Sequence, residues 1–71
     1  MNANIIYSDR MTLTATDKVS GVLFETNFEN RYIQLDEALR AANDLIEFSC
    51  VTEAVIASSF TGEVLAICTP R

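Results

Sequence analysis

Four carboxylates stand in two closely spaced pairs, and their type and spacing make them the first candidates for chemistry. Asp36 and Glu37 are adjacent, and Asp44 and Glu47 lie one helical turn apart. Such pairs could hold a hard cation or divide acid and base roles between them. The solvated face of an amphipathic helix carries the same residues, and we favour that interpretation. We therefore predict no metal site and no catalytic residue.

The remaining side chains offer little for catalysis. The chain has no histidine, which removes the commonest general base and the commonest metal ligand together. Its two cysteines, Cys50 and Cys68, stand in apolar sequence and match neither a CxxC redox pair nor a zinc knuckle. We expect reduced thiols in the core, with a disulfide between them as the alternative. The sequence thus predicts a protein that is not an enzyme.

Phosphate and nucleic-acid binding are also disfavoured. With two glycines, the chain cannot build a glycine-rich phosphate loop, so no nucleotide cofactor is expected. The five basic residues are dispersed, whereas affinity for a nucleic-acid backbone rests on clustered cations. The partner that we expect is therefore a protein and not a nucleic acid.

One segment has the periodicity of an amphipathic helix. Its apolar residues fall on one stripe at helical spacing, and most of its charged residues occupy the opposite face. The stripe consists of Ala38, Leu39, Ala42, Leu45 and Ile46. Asp36 could cap the first turn with its side-chain oxygen. The pattern predicts a single helix at about residues 36–48.

β-branched and aromatic residues flank that helix, with turn residues between them. Strands are predicted in two hairpins, 19–26 with 31–35 before the helix and 53–59 with 63–69 after it. Residues 3–7 and 11–16 are a further candidate hairpin. We expect an α+β fold in a single domain, 1–71, with the helix packed on one face of an antiparallel sheet of four to six strands.

The two closing strands are apolar on both faces, although one helix can cover only one face of a sheet. The second face needs a cover, which could be the amino-terminal hairpin, a second copy of the chain or a different protein. We favour a homodimer. The alternative is that the small side chains of Ala57 and Ala66 leave that face thinly apolar and tolerably exposed.

Acidity is concentrated in the helix, and it points to a basic partner surface. The chain carries ten acidic and five basic residues, a net charge of −5.

By helical projection, Phe48 falls near Glu37 and Asp44 on the polar arc and away from the apolar stripe. An aromatic ring among carboxylates is typical of an interaction site. We therefore predict a partner-binding surface that consists of Glu37, Asp44, Glu47 and Phe48. The alternative is that the helix ends early and Phe48 turns inward.

In size, acidity and lack of catalytic groups the chain resembles the small inhibitory proteins of phages and mobile elements. The run Glu37-Ala38-Leu39-Arg40-Ala41-Ala42 is similar to the E-A-L…A helix that follows the strands in antitoxin domains of the HicB type. These resemblances imply a regulator or inhibitor that binds another protein, or an antitoxin-like or accessory subunit of a larger complex. The less favoured alternative is a small-molecule-binding protein with a dimer cleft formed by Tyr7, Tyr32, Cys50 and carboxylates.

No segment is long and apolar enough to span a bilayer, and the amino terminus lacks the pattern of a secretory signal. We therefore expect no membrane association and a cytoplasmic location.

Overall fold

A computed structural model describes residues 10–70 of the chain. Four strands and one helix follow one another in the order β1 (Met11–Asp17), β2 (Gly21–Phe28), α1 (Arg31–Phe48), β3 (Glu53–Ser58) and β4 (Val64–Cys68). The strands form one antiparallel sheet in the order β2-β1-β3-β4. The predicted α+β class is confirmed. The candidate strand at residues 3–7 lies outside the described residues.

Strand β1 alternates as its sequence predicts. Met11, Leu13 and Ala15 are fully buried on the face that α1 covers, and Thr12 and its neighbouring threonines lie on the outer face. The helix contributes Ala38 and Ala42 to the same core, because their small side chains let it approach the sheet closely. Phe28, Ala54 and Ile56 complete the buried cluster.

The closing hairpin is confirmed. Strands β3 and β4 pair with each other and are joined by residues 59–63. Gly62 has a φ of 80°, a left-handed conformation that glycine adopts without steric cost, and its N–H donates to the Ser58 carbonyl. The Ser58 hydroxyl accepts from the N–H groups of Phe60 and Thr61. These bonds close the turn.

The first predicted hairpin is wrong. Residues 31–35 are the first turn and a half of α1, and β2 pairs with β1. The helix begins five residues earlier than predicted, and its N-cap is Asn30, not Asp36. The Asn30 side chain accepts from the Tyr32 N–H, while the Gln34 side chain accepts from the N–H groups of Glu29 and Asn30. This reciprocal capping explains why the helix starts there.

Two further expectations about packing are wrong in detail. Ala57 and Ala66 lie on opposite faces of the sheet, because Ala66 pairs with Ile56 on the helix face while Ala57 lies beside it on the outer face. Cys50 is exposed just beyond the end of α1, whereas Cys68 is half-buried and packs against the core. Both are free thiols.

Within residues 10–70, no helix combines the length and the apolar character needed to cross a membrane.

Candidate functional site

An open groove of about 400 Å³ lies between β2 and the C-terminal half of α1. We call it the aromatic groove, and it is lined by Phe24, Ala41, Asp44, Leu45, Phe48 and Ser49. Phe24 is 45% exposed and Phe48 is 78% exposed, so both rings present apolar surface to solvent. Exposed aromatic side chains in a concave site are the composition of a contact surface.

The pairing of the strands places Phe24 in this groove. Phe24 lies opposite Ala15, so its ring is on the face of the sheet that carries α1. The helix packs mainly on β3 and β1, and the edge strand β2 is only partly covered. Directly after this pair, a bulge between Ala15 and Thr16 shifts the register of β1 against β2. The groove is therefore the gap between the C-terminal half of the helix and an edge strand that the helix covers only in part.

The helix brings three of the four predicted partner-surface residues to one side. Helix α1 continues through Phe48, so the alternative of an early helix end with an inward ring is wrong. Asp44 and Phe48 both line the groove. Glu37 lies two turns before Asp44 on the same side of the helix and is exposed. The sequence projection thus placed these residues together.

Glu47 does not belong to this surface. It lines a second, more polar depression on the other flank of α1, beside Ile46 and Thr69.

Sequence reasoning also missed Phe24, because the incorrect hairpin paired β2 with residues that are helical. The usable signal was Asn30, a strong capping residue followed four positions later by Gln34.

The end of the helix beside the groove is electrically negative. The carbonyl end of a helix carries a partial negative charge, which basic residues usually offset. The last turn of α1 contains no basic residue, and Asp44 and Glu47 lie near this end. None of the six residues that line the groove is basic. Apolar surface and negative potential therefore coincide at the C-terminal end of α1.

The outer face of the sheet is a second exposed surface. Over β1 and the second half of β2 it is polar, with Thr12 donating to the Asn27 side chain at 2.8 Å and Thr14 donating to Glu25 at 3.4 Å, while Val22 is exposed near the start of β2. Over β3 and β4 it is apolar beyond Glu53. We call this apolar part the outer apolar strip, and it consists of Val55, Ala57, Val64 and Ile67. No element within residues 10–70 covers it, and Val64 and Ile67 are 52% and 58% exposed.

Tyr32 and Cys50, two residues of the predicted dimer cleft, lie near opposite ends of α1. They are about 24 Å apart along its axis, so they share no cleft within one copy. Tyr7 lies outside the described residues. Within residues 10–70, no three acidic or cysteine side chains come together in a way that could hold a metal ion. The helix carboxylates of Asp36, Glu37, Asp44 and Glu47 are all exposed.

The carboxylate of Asp17 has a lowered pKa, and its side chain stabilises a turn. The Asp17 side chain accepts from the N–H groups of Ser20 at 3.0 Å and Val19 at 3.2 Å. These amides, that of Ser20 first, hold the pKa of Asp17 below its ordinary value because they stabilise the ionised form. Asp17 thereby fixes the turn between β1 and β2 and does not point to acid–base chemistry.

No family model, curated protein or solved structure matches this chain.

Proposed function

We propose that this chain is a small, acidic, non-enzymatic protein-binding module, and that it acts as a regulator or inhibitor by occupying a surface of another protein. The observation that supports this proposal is the aromatic groove. A phenylalanine with 78% of its surface in water makes a small contribution to the fold, and beside Phe24 it forms an apolar contact surface.

The surroundings of the groove favour a partner with a basic surface. Asp44 lies in the groove and Glu37 lies along the same side of the helix. A partner with lysine or arginine around an apolar side chain would match both the charge and the apolar character of this site. The net charge of −5 would also speed its association at low salt.

Quantitative affinity capture tests the proposal. Wild-type protein, Phe48→Ala and Phe60→Ala are immobilised and exposed to lysate of the source cell, and the retained protein is then purified and bound again in a calorimeter. Phe60 is the matched control, because it is 69% exposed and lies in the turn before β4. We expect Phe48→Ala to weaken binding at least about tenfold and Phe60→Ala to change it less than about twofold. Equal binding by all three proteins would contradict the proposal.

The fold must survive these substitutions for the comparison to be valid. Because the Phe48 ring is largely exposed, Phe48→Ala should change the free energy of unfolding by only about 0.5 kcal/mol. Urea unfolding of both variants measures this. A loss of several kcal/mol would show that the ring belongs to the core, and the proposed contact role would then be wrong.

A second candidate, association of two copies, is favoured by a separate observation. The outer apolar strip is uncharged, and no described element covers it. A domain of this size buries only about 60% of the surface of its unfolded chain, so burial of such a strip in a dimer would stabilise it. Light scattering at low micromolar concentration should give twice the mass of one chain. A strictly monomeric mass would contradict this association.

A further inference from the structure

We infer that the aromatic groove takes a cationic amphipathic peptide segment of a partner protein, with an apolar side chain between Phe24 and Phe48 and a lysine or arginine beside Asp44. This inference rests on the proposed function and specifies the chemistry of its ligand. The groove supplies the apolar contact, and charge complementarity selects the occupant.

The shape of the groove favours a peptide side chain over a free small molecule. Small-molecule sites bury most of the ligand surface. The aromatic groove is open, and its two rings remain 45% and 78% exposed. An anchor side chain on a larger surface suits such a groove, because the surrounding backbone of the partner excludes the water that the groove itself does not exclude.

Two sources of negative charge meet at the end of the groove nearest the C-terminus of α1. Asp44 lines the groove one turn before the end of the helix, where the helix C-terminus adds its partial charge, and Glu37 lies two turns further from that end on the same side. A carboxylate near the helix C-terminus is unfavourable, because it meets the partial negative charge of the unpaired carbonyl groups there. A partner cation beside Asp44 would neutralise this local repulsion, so binding would relieve a conflict that the free protein retains.

The placement of Asp44 and Glu47 provides a matched pair of variants. Asp44→Asn and Glu47→Gln each remove one negative charge close to the C-terminal end of α1, but only Asp44 lines the groove. Both substitutions should leave the protein folded, since each removes a carboxylate from the negative end of the helix dipole. A difference in binding between them therefore reports position and not net charge.

The probes are two labelled peptides of about 14 residues that carry the same leucines at helical spacing. Alternate polar positions are lysine in one peptide and glutamate in the other. Fluorescence anisotropy at about 0.1 M salt measures their binding. We expect the lysine peptide to bind at least about tenfold more tightly than the glutamate peptide. Phe48→Ala should weaken its binding about tenfold, with Phe60→Ala near wild type. Asp44→Asn should weaken it about threefold or more, and clearly more than Glu47→Gln.

Four results would contradict the inference, and the last of them leaves the proposed function intact. If Phe48→Ala left the affinity for the lysine peptide unchanged, net charge alone would attract the peptide. The same conclusion would follow if Asp44→Asn and Glu47→Gln weakened its binding equally. Absence of binding by both peptides would also contradict it. If the two peptides bound equally and both required Phe48, the cationic specificity would be wrong while the groove remained the contact surface, so this failure is distinguishable from failure of the proposed function.

Discussion

Phe48 is the residue on which the functional argument depends. It ends an amphipathic helix on the side that points away from the core, and its ring is 78% exposed. An apolar ring that stays mostly in water gains little free energy from folding, whereas the same ring gains free energy when a partner covers it. Its neighbours Asp44 and Phe24 turn a single exposed ring into a site with both shape and charge.

The lowered pKa of Asp17 affects the stability of the folded protein. Because folding lowers the pKa of Asp17, the ionised side chain stabilises the folded protein at pH values above its ordinary pKa. That contribution disappears as the pH falls below about 4 and through the lowered pKa. We therefore expect Asp17→Asn to be less stable than wild type at pH 7, and the difference in urea midpoint to shrink at pH 3. An unchanged difference at the two pH values would contradict this account of the turn.

At the scale of elements, the start of α1 shows where sequence reasoning succeeds and where it fails. Apolar periodicity located the core stripe from Ala38 onward. It missed residues 31–35, because the β-branched and aromatic residues there also suit a strand. The segment is helical and not a strand because the side chains of Asn30 and Gln34 accept hydrogen bonds from three N–H groups at the helix start.

The cap gives a direct test of this explanation. Asn30→Ala removes the acceptor of the Tyr32 N–H and should lower the free energy of unfolding by about 1 kcal/mol. Asp36→Ala is the control, since Asp36 is exposed inside the helix, and its effect should be about 0.5 kcal/mol or less. Thermal or urea unfolding compares the two. A larger loss for Asp36→Ala would mean that the helix begins near the position the sequence pattern favoured.

The pairing of β2 explains why half of the aromatic groove was unpredictable. The projection of one helix is a local property, so the exposure of Phe48 beside Asp44 followed from the sequence. The position of Phe24 depends on the pairing of β2 with β1 and on the bulge beside Ala15, neither of which has a local signature here. The position of a site that two elements form depends on the register in which the strands pair. That register does not follow from the local sequence.

At the scale of the whole molecule, the sheet divides a buried face from an exposed one. The helix face holds the core, and the outer face is polar over β1 and the second half of β2 but carries the outer apolar strip over β3 and β4. The expectation that the closing strands are apolar on both faces is confirmed by Ile56 on one side and Ile67 on the other. None of the elements described within residues 10–70 covers the outer apolar strip.

Those two isoleucines give a matched test of the division. Ile56 is fully buried, so Ile56→Ala should lower the free energy of unfolding by about 2–5 kcal/mol. Ile67 is 58% exposed, and in a monomer Ile67→Ala should cost about 0.5–1 kcal/mol. Urea unfolding at several protein concentrations measures both. Equal losses at all concentrations would contradict the assignment of the faces, whereas a concentration-dependent loss for Ile67→Ala would indicate that a second copy covers the strip.

Photo-cross-linking in the source cell shows whether the aromatic groove contacts a partner protein. A photoreactive phenylalanine analogue replaces Phe48 in one version of the protein and Phe60 in another, two exposed positions of which only the first lies in the aromatic groove. We predict a covalent adduct with one basic protein from position 48 and none from position 60. Absence of an adduct at position 48, or the same adducts from both positions, would contradict the assignment of the groove as the binding surface.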